Sequence, residues 1–219
     1  MSSNLMSVEN GEYGVVVAAG NSSRMGGQDK QFAIVKGRPV ILYSLEKFQD
    51  CEDIDGILLV VSSNKVGPAQ DLVKTRGLSK VVAVVAGETR RQDSVKSGLR
   101  ALLEATQNCK IAIIHDGARP FVDAAMIRRG LSTVSKTGAA IAAIQTVDTI
   151  KKVGDDGIVV STADRTHLWS VQTPQLFDLD ILMEAHRTVK EDVTDDAAMV
   201  EKIGGSVSVF IGSRSNIKI

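Results

Sequence analysis

Residues 13–30 read YGVVVAAGNSSRMGGQDK. The opening YGVVVA is a short, valine-rich apolar run, the mark of a strand buried on both faces. From its last residue onward the chain turns small and polar: Ala18-Ala19-Gly20-Asn21-Ser22-Ser23-Arg24-Met25-Gly26. Small residues let backbone N–H groups approach an anion, and Gly20 can take a positive φ. Arg24 and Lys30 add a planar guanidinium and a mobile ammonium to that cradle. A plain strand-to-helix turn would share the glycine; the two cations favour an anion site. The stretch is not a dinucleotide fingerprint, because Gly-x-Gly-x-x-Gly is absent and the next strand ends in Ser62-Ser63 rather than an acid. Nor is it a Walker loop, since it contains no Gly-Lys-Ser/Thr.

Outward from this strand the pattern alternates. Ile41, Leu42, Leu45 and Phe48 fall on one face of a helix that Pro39 opens. Residues 56–61 (GILLVV) form a second buried strand. A helix starts at Pro68 and ends near Gly77, and residues 80–85 form a third strand. Val95, Leu99, Leu102 and Leu103 mark the next helix. Residues 111–115 are a strand, 124–136 a helix and 139–144 a strand. Such alternation implies βαβ units, right-handed crossovers and a parallel sheet. The pattern then changes. Residues 149–153 and 158–162 flank Gly154-Asp155-Asp156-Gly157, which reads as a partly polar β-hairpin projecting from the body. Residues 178–189 and 195–203 read as helices and 206–211 as a last strand. The expected fold is α/β: a Rossmann-like, mostly parallel sheet flanked by helices, with a projecting hairpin arm at 149–162. Residues 1–219 form one domain, with 1–12 a flexible tail.

Composition bounds the partners. The 219 residues carry no net charge. Nucleic-acid binders show a basic surplus, so no nucleic-acid partner is expected, although a local basic cluster still suits a small anion. The two cysteines, Cys51 and Cys109, have no metal spacing, and a reduced cytoplasmic setting is the default. Residues 1–10 lack the basic start and apolar run of a signal peptide. No stretch is long and apolar enough to span a bilayer, so no membrane partner is expected.

In an open parallel sheet, ligands bind beyond the carboxyl ends of the strands. Three further places are read there. In residues 87–94 (GETRRQDS), Asp93 and Ser94 can hydrogen-bond a base or cap the helix, and Asp93 alone reads as a cap. Arg90 and Arg91 are compatible with surface charge. In 115–120 (HDGARP), Asp116 can hold Mg²⁺ between phosphate oxygens or merely form the turn. His115 reads as a packed residue; His167 and His186 stand at unrelated spacing, which makes no zinc set. The late set is Asp148-Thr149, Arg165, Gln172-Thr173-Pro174-Gln175 and Asn216-Ile217-Lys218, each weak alone. Trp169 reads as packing.

Taken in order, AAGNSSRMGGQDKQF, GETRRQDSVKSGL, HDGARPFV, VDTIKKV, DRTHLWSVQTPQLF, TDDA and GSRSNIKI resemble one family over residues 15–219. It is the 2-C-methyl-D-erythritol 4-phosphate cytidylyltransferases of non-mevalonate isoprenoid precursor synthesis. Single motifs are shared with other nucleotidyltransferases; the ordered set is specific. The resemblance implies a nucleotidyltransferase fold, a homodimer, a divalent cation such as Mg²⁺, and CTP and a sugar-alcohol phosphate as substrates. It also implies roles. Ala18, Ala19 and Gly20 bind the triphosphate, and Arg24, Lys30 and Lys218 are catalytic cations. Gly87, Glu88 and Ser94 match the part that reads cytosine, and Gly117 also lies in the nucleotide site. Asp116 is the metal-linked acid. Arg119, Thr149, Arg165 and Thr173 match positions that hold the methylerythritol phosphate. The hairpin grips the partner subunit, so that Thr149 and Arg165 complete the neighbour's site.

The chain departs from the family pattern at Ser22 and Glu88, where glycine is common, at Asp29, where proline is usual, and at Gly117, where alanine is usual. The resemblance also implies a C-terminus somewhat beyond Ile219. Two rival readings remain: a ribitol-5-phosphate cytidylyltransferase of the same shape, and a non-catalytic nucleotide-binding module supported by those departures.

Overall fold

The computed structural model describes residues 11–20 and 30–219. The run at 13–18 is strand β1 (Glu12–Ala18), and all of it beyond Glu12 is buried. A short hairpin of β2 (Ile34–Val35) and β3 (Arg38–Pro39) leads into α1 (Val40–Gln49), whose apolar stripe is buried as expected. Pro39 stands just before the helix rather than in its first turn. Next come β4 (Gly56–Val61), α2 (Val66–Arg76) and β5 (Val81–Ala86). α2 starts ahead of Pro68, and Gly77 ends it with a left-handed φ of 63°, which costs glycine little. The chain continues through α3 (Arg91–Ala105), β6 (Ile111–Asp116), α4 (Ala124–Thr137) and β7 (Ala139–Gln145). The arm is β8 (Lys151–Val153) paired antiparallel with β9 (Val159–Thr162). The chain closes with β10 (Trp169–Asp178), α5 (Leu179–Thr188), α6 (Asp196–Lys202) and β11 (Ser208–Ile211).

The main sheet has seven strands in the order β11-β7-β10-β6-β1-β4-β5. β1 is central and pairs in parallel with both β4 and β6. Alternate side chains go to opposite faces of a strand. Val16 and Ala18 therefore pack with Ile41, Leu45 and Phe48 of α1 and Met126 of α4. Val15 and Val17 pack with Val95 and Leu99 of α3 and Leu182 of α5. The mostly parallel, helix-flanked sheet is thus as the alternation implies.

β10 is the unexpected strand. It runs antiparallel between β6 and β7, over residues to which the sequence pattern assigns no strand. Gln172, Thr173 and Gln175 are polar yet buried, and Pro174 has no N–H for a ladder. Between Val171 and Gln175 the pairing shifts register, which takes Pro174 out of the ladder and leaves Thr173 free to face β6. Trp169 is also not core: it is 37% exposed.

Gly11 and Glu12, expected within the tail, belong to the sheet. Gly11 O accepts from Lys110 N at 2.8 Å, and Glu12 opens β1; residues 1–10 of that tail lie outside the described residues. Burial and then the charge of Asp55 push the Glu12 carboxyl up to about 7. A carboxyl raised on folding binds a proton in the native state before the unfolded state does, so stability falls as pH rises from about 4.5 to 7. Glu12→Gln is expected to raise the melting temperature at pH 8 and leave it nearly unchanged at pH 4, read by thermal denaturation at both. Equal shifts at the two pH values would contradict this origin.

Candidate active site

β5, β4, β1 and β6 end on one edge of the sheet, and loops from three of them meet there. Ala18 and Ala19 are buried at the end of β1, and Gly20 emerges exposed. Gly20 does not use the positive φ open to glycine. Arg24, with Ser22 and Asp29, lies outside the described residues. Lys30 is half-buried just after them, and its carbonyl accepts from Ala33 N.

The loop after β5 packs directly on this turn. A Cβ at Gly87 would land on Ala19 Cβ and lie 2.8 Å from Ser94 Oγ, so only glycine lets the two loops touch. Ser94 is buried, and its hydroxyl accepts from Glu88 N at 2.9 Å while lying 3.1 Å from the carbonyls of Glu88 and Arg90. Ser94 therefore shapes the loop that presents Glu88, whose own side chain is exposed. Asp93 is not the cap of α3. Its carboxylate takes the Nε–Nη2 edge of Arg90 in two hydrogen bonds, at 2.6 and 2.9 Å.

Asp116 ends β6 and gathers the cations. Lys218 Nζ lies 2.7 Å from its Oδ2, Arg91 Nε 3.4 Å from its Oδ1, and Arg119 Nε 3.8 Å from Oδ2. Burial alone would raise this carboxyl. The attraction of Arg91 and Lys218 outweighs it and holds the group ionised, below the usual carboxylate range. Arg119 is itself largely buried, which lowers its pKa against the pull of Asp116. Gly117 fits beneath, and a Cβ there would meet the flexible end of Ile41 and lie 3.2 Å from Ala18 Cβ.

Thr173 joins β10 to this turn. Its hydroxyl accepts from Asp116 N at 3.0 Å and lies 3.2 Å from His115 Nδ1. His115 Nε2 lies 3.0 Å from Arg119 O, which can only accept. Burial pushes the imidazole down to about 4, so it is neutral, with the proton on Nε2 and Nδ1 accepting from Thr173. Both ring nitrogens are engaged, and His115 is a packed residue as its setting in the sequence suggests.

The C-terminal segment is pinned across the same turn. Asn216 is buried, donates Nδ2–H to Thr173 O at 2.8 Å, and accepts from Arg119 Nη1 on its carbonyl at 2.7 Å. Ile219 N donates to Ala118 O at 2.9 Å. These bonds set Lys218 over Asp116. Lys218, Asp116, Arg119 and Thr173 are thus brought together. Thr149 and Arg165 stand elsewhere: Thr149 is exposed before β8, and Arg165 donates to Val147 O at the base of the arm.

The sequence profile described as "IspD: 2-C-methyl-D-erythritol 4-phosphate cytidylyltransferase" matches residues 13–219. The chain belongs to that family. Among its curated relatives, the 2-C-methyl-D-erythritol 4-phosphate cytidylyltransferase of Dehalococcoides mccartyi is 47% identical over 94% of this chain and 88% of its own. That of Clostridium novyi is 41% identical over 94% of this chain and 89% of its own. The crystal structure of 4-diphosphocytidyl-2C-methyl-D-erythritol synthase from Anaerococcus prevotii superposes with a TM-score of 0.82 at 28% identity, covering 95% of this chain and 91% of that one. The fold around Asp116 is therefore that of the IspD family.

Among the described residues no three His, Cys, Asp or Glu side chains converge on one point. Mg²⁺ needs no such set, since it binds through one or two carboxylates with substrate phosphates and water. Asp116, a carboxylate at the end of β6 among the loop ends, fits such an ion together with a triphosphate.

Sequence reasoning missed Arg91 and Asp196. Arg91 looks like surface charge, yet its Nη1 donates to Asp196 Oδ2 at 2.7 Å, and Asp196 is fully buried. The segment TDDA belongs to the ordered motifs, but nothing in its spacing says that one of its acids faces α3.

Proposed function

We propose that the chain transfers CMP from CTP to 2-C-methyl-D-erythritol 4-phosphate, yielding 4-diphosphocytidyl-2-C-methyl-D-erythritol and pyrophosphate. The observation that carries this is the meeting of Asp116, Lys218, Arg119 and Thr173 at the carboxyl ends of the parallel strands in an IspD-family chain.

A phosphate oxygen of the acceptor attacks the α-phosphorus of CTP. The bond from that phosphorus to the bridging oxygen breaks, and pyrophosphate leaves with the electron pair. The nucleophile is already an anion, so no strong base is required. That fits a site whose histidine is neutral and bonded at both nitrogens. The barrier lies in bringing two anions together and in crowding charge on phosphorus. Arg24, Lys30 and Lys218 supply the positive charge for this, and Ala18, Ala19, Gly20 and Gly117 let the chain approach the nucleotide closely. Gly87 and Glu88, held by Ser94 of α3, form the loop that faces the base. Asp116 would hold Mg²⁺ together with the triphosphate, and the ion would supply further neutralising charge.

The arm supports a homodimer. Val153, Ile158, Val159 and Val160 on it are each more than half exposed, at 52%, 65%, 53% and 64%. A lone two-stranded hairpin is marginal in water, and such a patch asks for a protein partner. In that dimer Thr149 and Arg165 hold the acceptor phosphate of the neighbouring site. The free thiols of Cys51 and Cys109 fit a reducing, cytoplasmic setting.

Pyrophosphate release with each of four nucleoside triphosphates, Mg²⁺, and either methylerythritol phosphate or ribitol 5-phosphate tests the proposal. Release is expected with CTP and methylerythritol phosphate. Faster release with ribitol 5-phosphate would reassign the acceptor, and CTP binding without release would make the chain a binding module. Arg165→Ala is expected to raise the acceptor KM about 10- to 100-fold, the worth of a charged hydrogen bond, and to leave the CTP KM nearly unchanged. An effect on CTP alone would remove Arg165 from the acceptor site.

A further inference from the structure

Asp116 is held differently at its two oxygens. Oδ2 meets Lys218, whose side chain is 46% exposed beside the chain end. Oδ1 faces Arg91, the first residue of α3. Arg91 in turn is anchored on Asp196, which opens α6 and has no exposed surface. The other oxygen of Asp196 lies 3.0 Å from His186 Nε2 on α5. The neighbouring Asp195 caps α6 at Ala198 N and takes Gln175 Nε2 from β10 at 2.8 Å. A buried, hydrogen-bonded carboxylate on three packed elements is a rigid point. A guanidinium serves two carboxylates at once with different edges; an ammonium offers no such planar fork.

We infer that Arg91, fixed by Asp196, is a positioning residue that keeps Asp116 oriented while Lys218 leaves it for the reacting phosphates. This rests on the proposed reaction at Asp116 and Lys218. The contact between Asp116 and Lys218 is the exchangeable one, because Lys218 is on a flexible four-carbon stem and partly in solvent. The contact to Arg91 is the stationary one, because moving it would strip a partner from buried Asp196. Loss of the fork should therefore slow turnover and leave CTP binding nearly intact.

The test compares wild type, Arg91→Lys, Asp196→Asn and the double variant in steady-state pyrophosphate release, with thermal melts to establish the folded fraction. Arg91→Lys is expected to lower kcat roughly 10-fold or more with KM for CTP within about twofold, the pattern of an interaction that matters in the transition state. Asp196→Asn is expected to lower kcat comparably. The double variant is expected to be no slower than the worse single one, since the two residues act as one unit. A wild-type kcat in Arg91→Lys, multiplicative losses in the double variant, or a loss that only tracks the unfolded fraction would each overturn the inference. Where Asp196→Asn does not fold, Arg91→Lys decides alone on the same kcat and KM criterion. No release by wild type would sink the functional reading and this inference together; release by wild type with unchanged variants sinks this inference alone.

Discussion

Lys218→Ala is expected to release pyrophosphate about 10²–10³ times more slowly than wild type, the usual cost of losing one donor aimed at developing charge. Its melting temperature should stay within about 4 °C of wild type. The two outcomes separate because the lysine does two unequal things. As a partner of Asp116 it is 46% exposed, and exposed ion pairs contribute about 1 kcal/mol or less to folding. In a chain of this size that is roughly 2–4 °C. As a cation over the loop ends it would, in the proposed reaction, meet the charge developing on the phosphates, where a positioned donor counts for far more. Lys30→Ala should fall in the same range of turnover. Steady-state release with saturating CTP and acceptor, beside a melt, measures both quantities. Turnover within tenfold of wild type in Lys218→Ala would take the C-terminal lysine out of the reaction.

Asp116→Ala is expected to damage stability and turnover together. Its side chain is only 12% exposed and stands among Lys218, Arg91 and Arg119. Lys218 can turn to solvent and Arg91 keeps Asp196. Arg119 cannot escape: it is 13% exposed, and its guanidinium keeps one hydrogen bond, from Nη1 to Asn216 O. Removing one partner from a buried charge set costs about 3–5 kcal/mol, which here is a fall of roughly 10 °C in melting temperature. Turnover should drop by about 10³ or more, since the loss removes the partner that orients Lys218 and the carboxylate that, in the proposed reaction, would hold Mg²⁺. Asp116→Asn keeps the shape and isolates the charge; it should lose turnover nearly as far and stability less. Wild-type stability in Asp116→Ala would show that the surrounding cations need no counter-charge.

The legible part of the fold was the part written in short periods. Short apolar runs at 13–18, 56–61 and 111–115 announce buried strands, and each is one. The stripe of Ile41, Leu42, Leu45 and Phe48 announces α1, and Gly154 to Gly157 announces the turn of the arm. β10 was illegible because its buried polar residues and Pro174 break alternation. Its stability comes from neighbours on both sides, β6 and β7, rather than from its own pattern. Trp169 misleads for the opposite reason: a large apolar side chain suggests core, yet its strand end lies at the surface.

Within the site, the sequence alone determined the chemical types and their order: a small-residue turn after the first strand, an acid after the fourth, a lysine near the end. Those come from local rules about loops at strand ends and from the ordered motifs. Only the tertiary structure decided who touches whom. Lys218 meets Asp116 across 102 residues, Arg91 meets Asp196 across 105, and Thr173 meets Asp116 across 57. Such pairs leave no periodic trace in the chain, because their geometry depends on the order of strands in the sheet and on where each helix begins. That is why Arg91 reads as surface charge along the sequence and stands between two carboxylates in the fold.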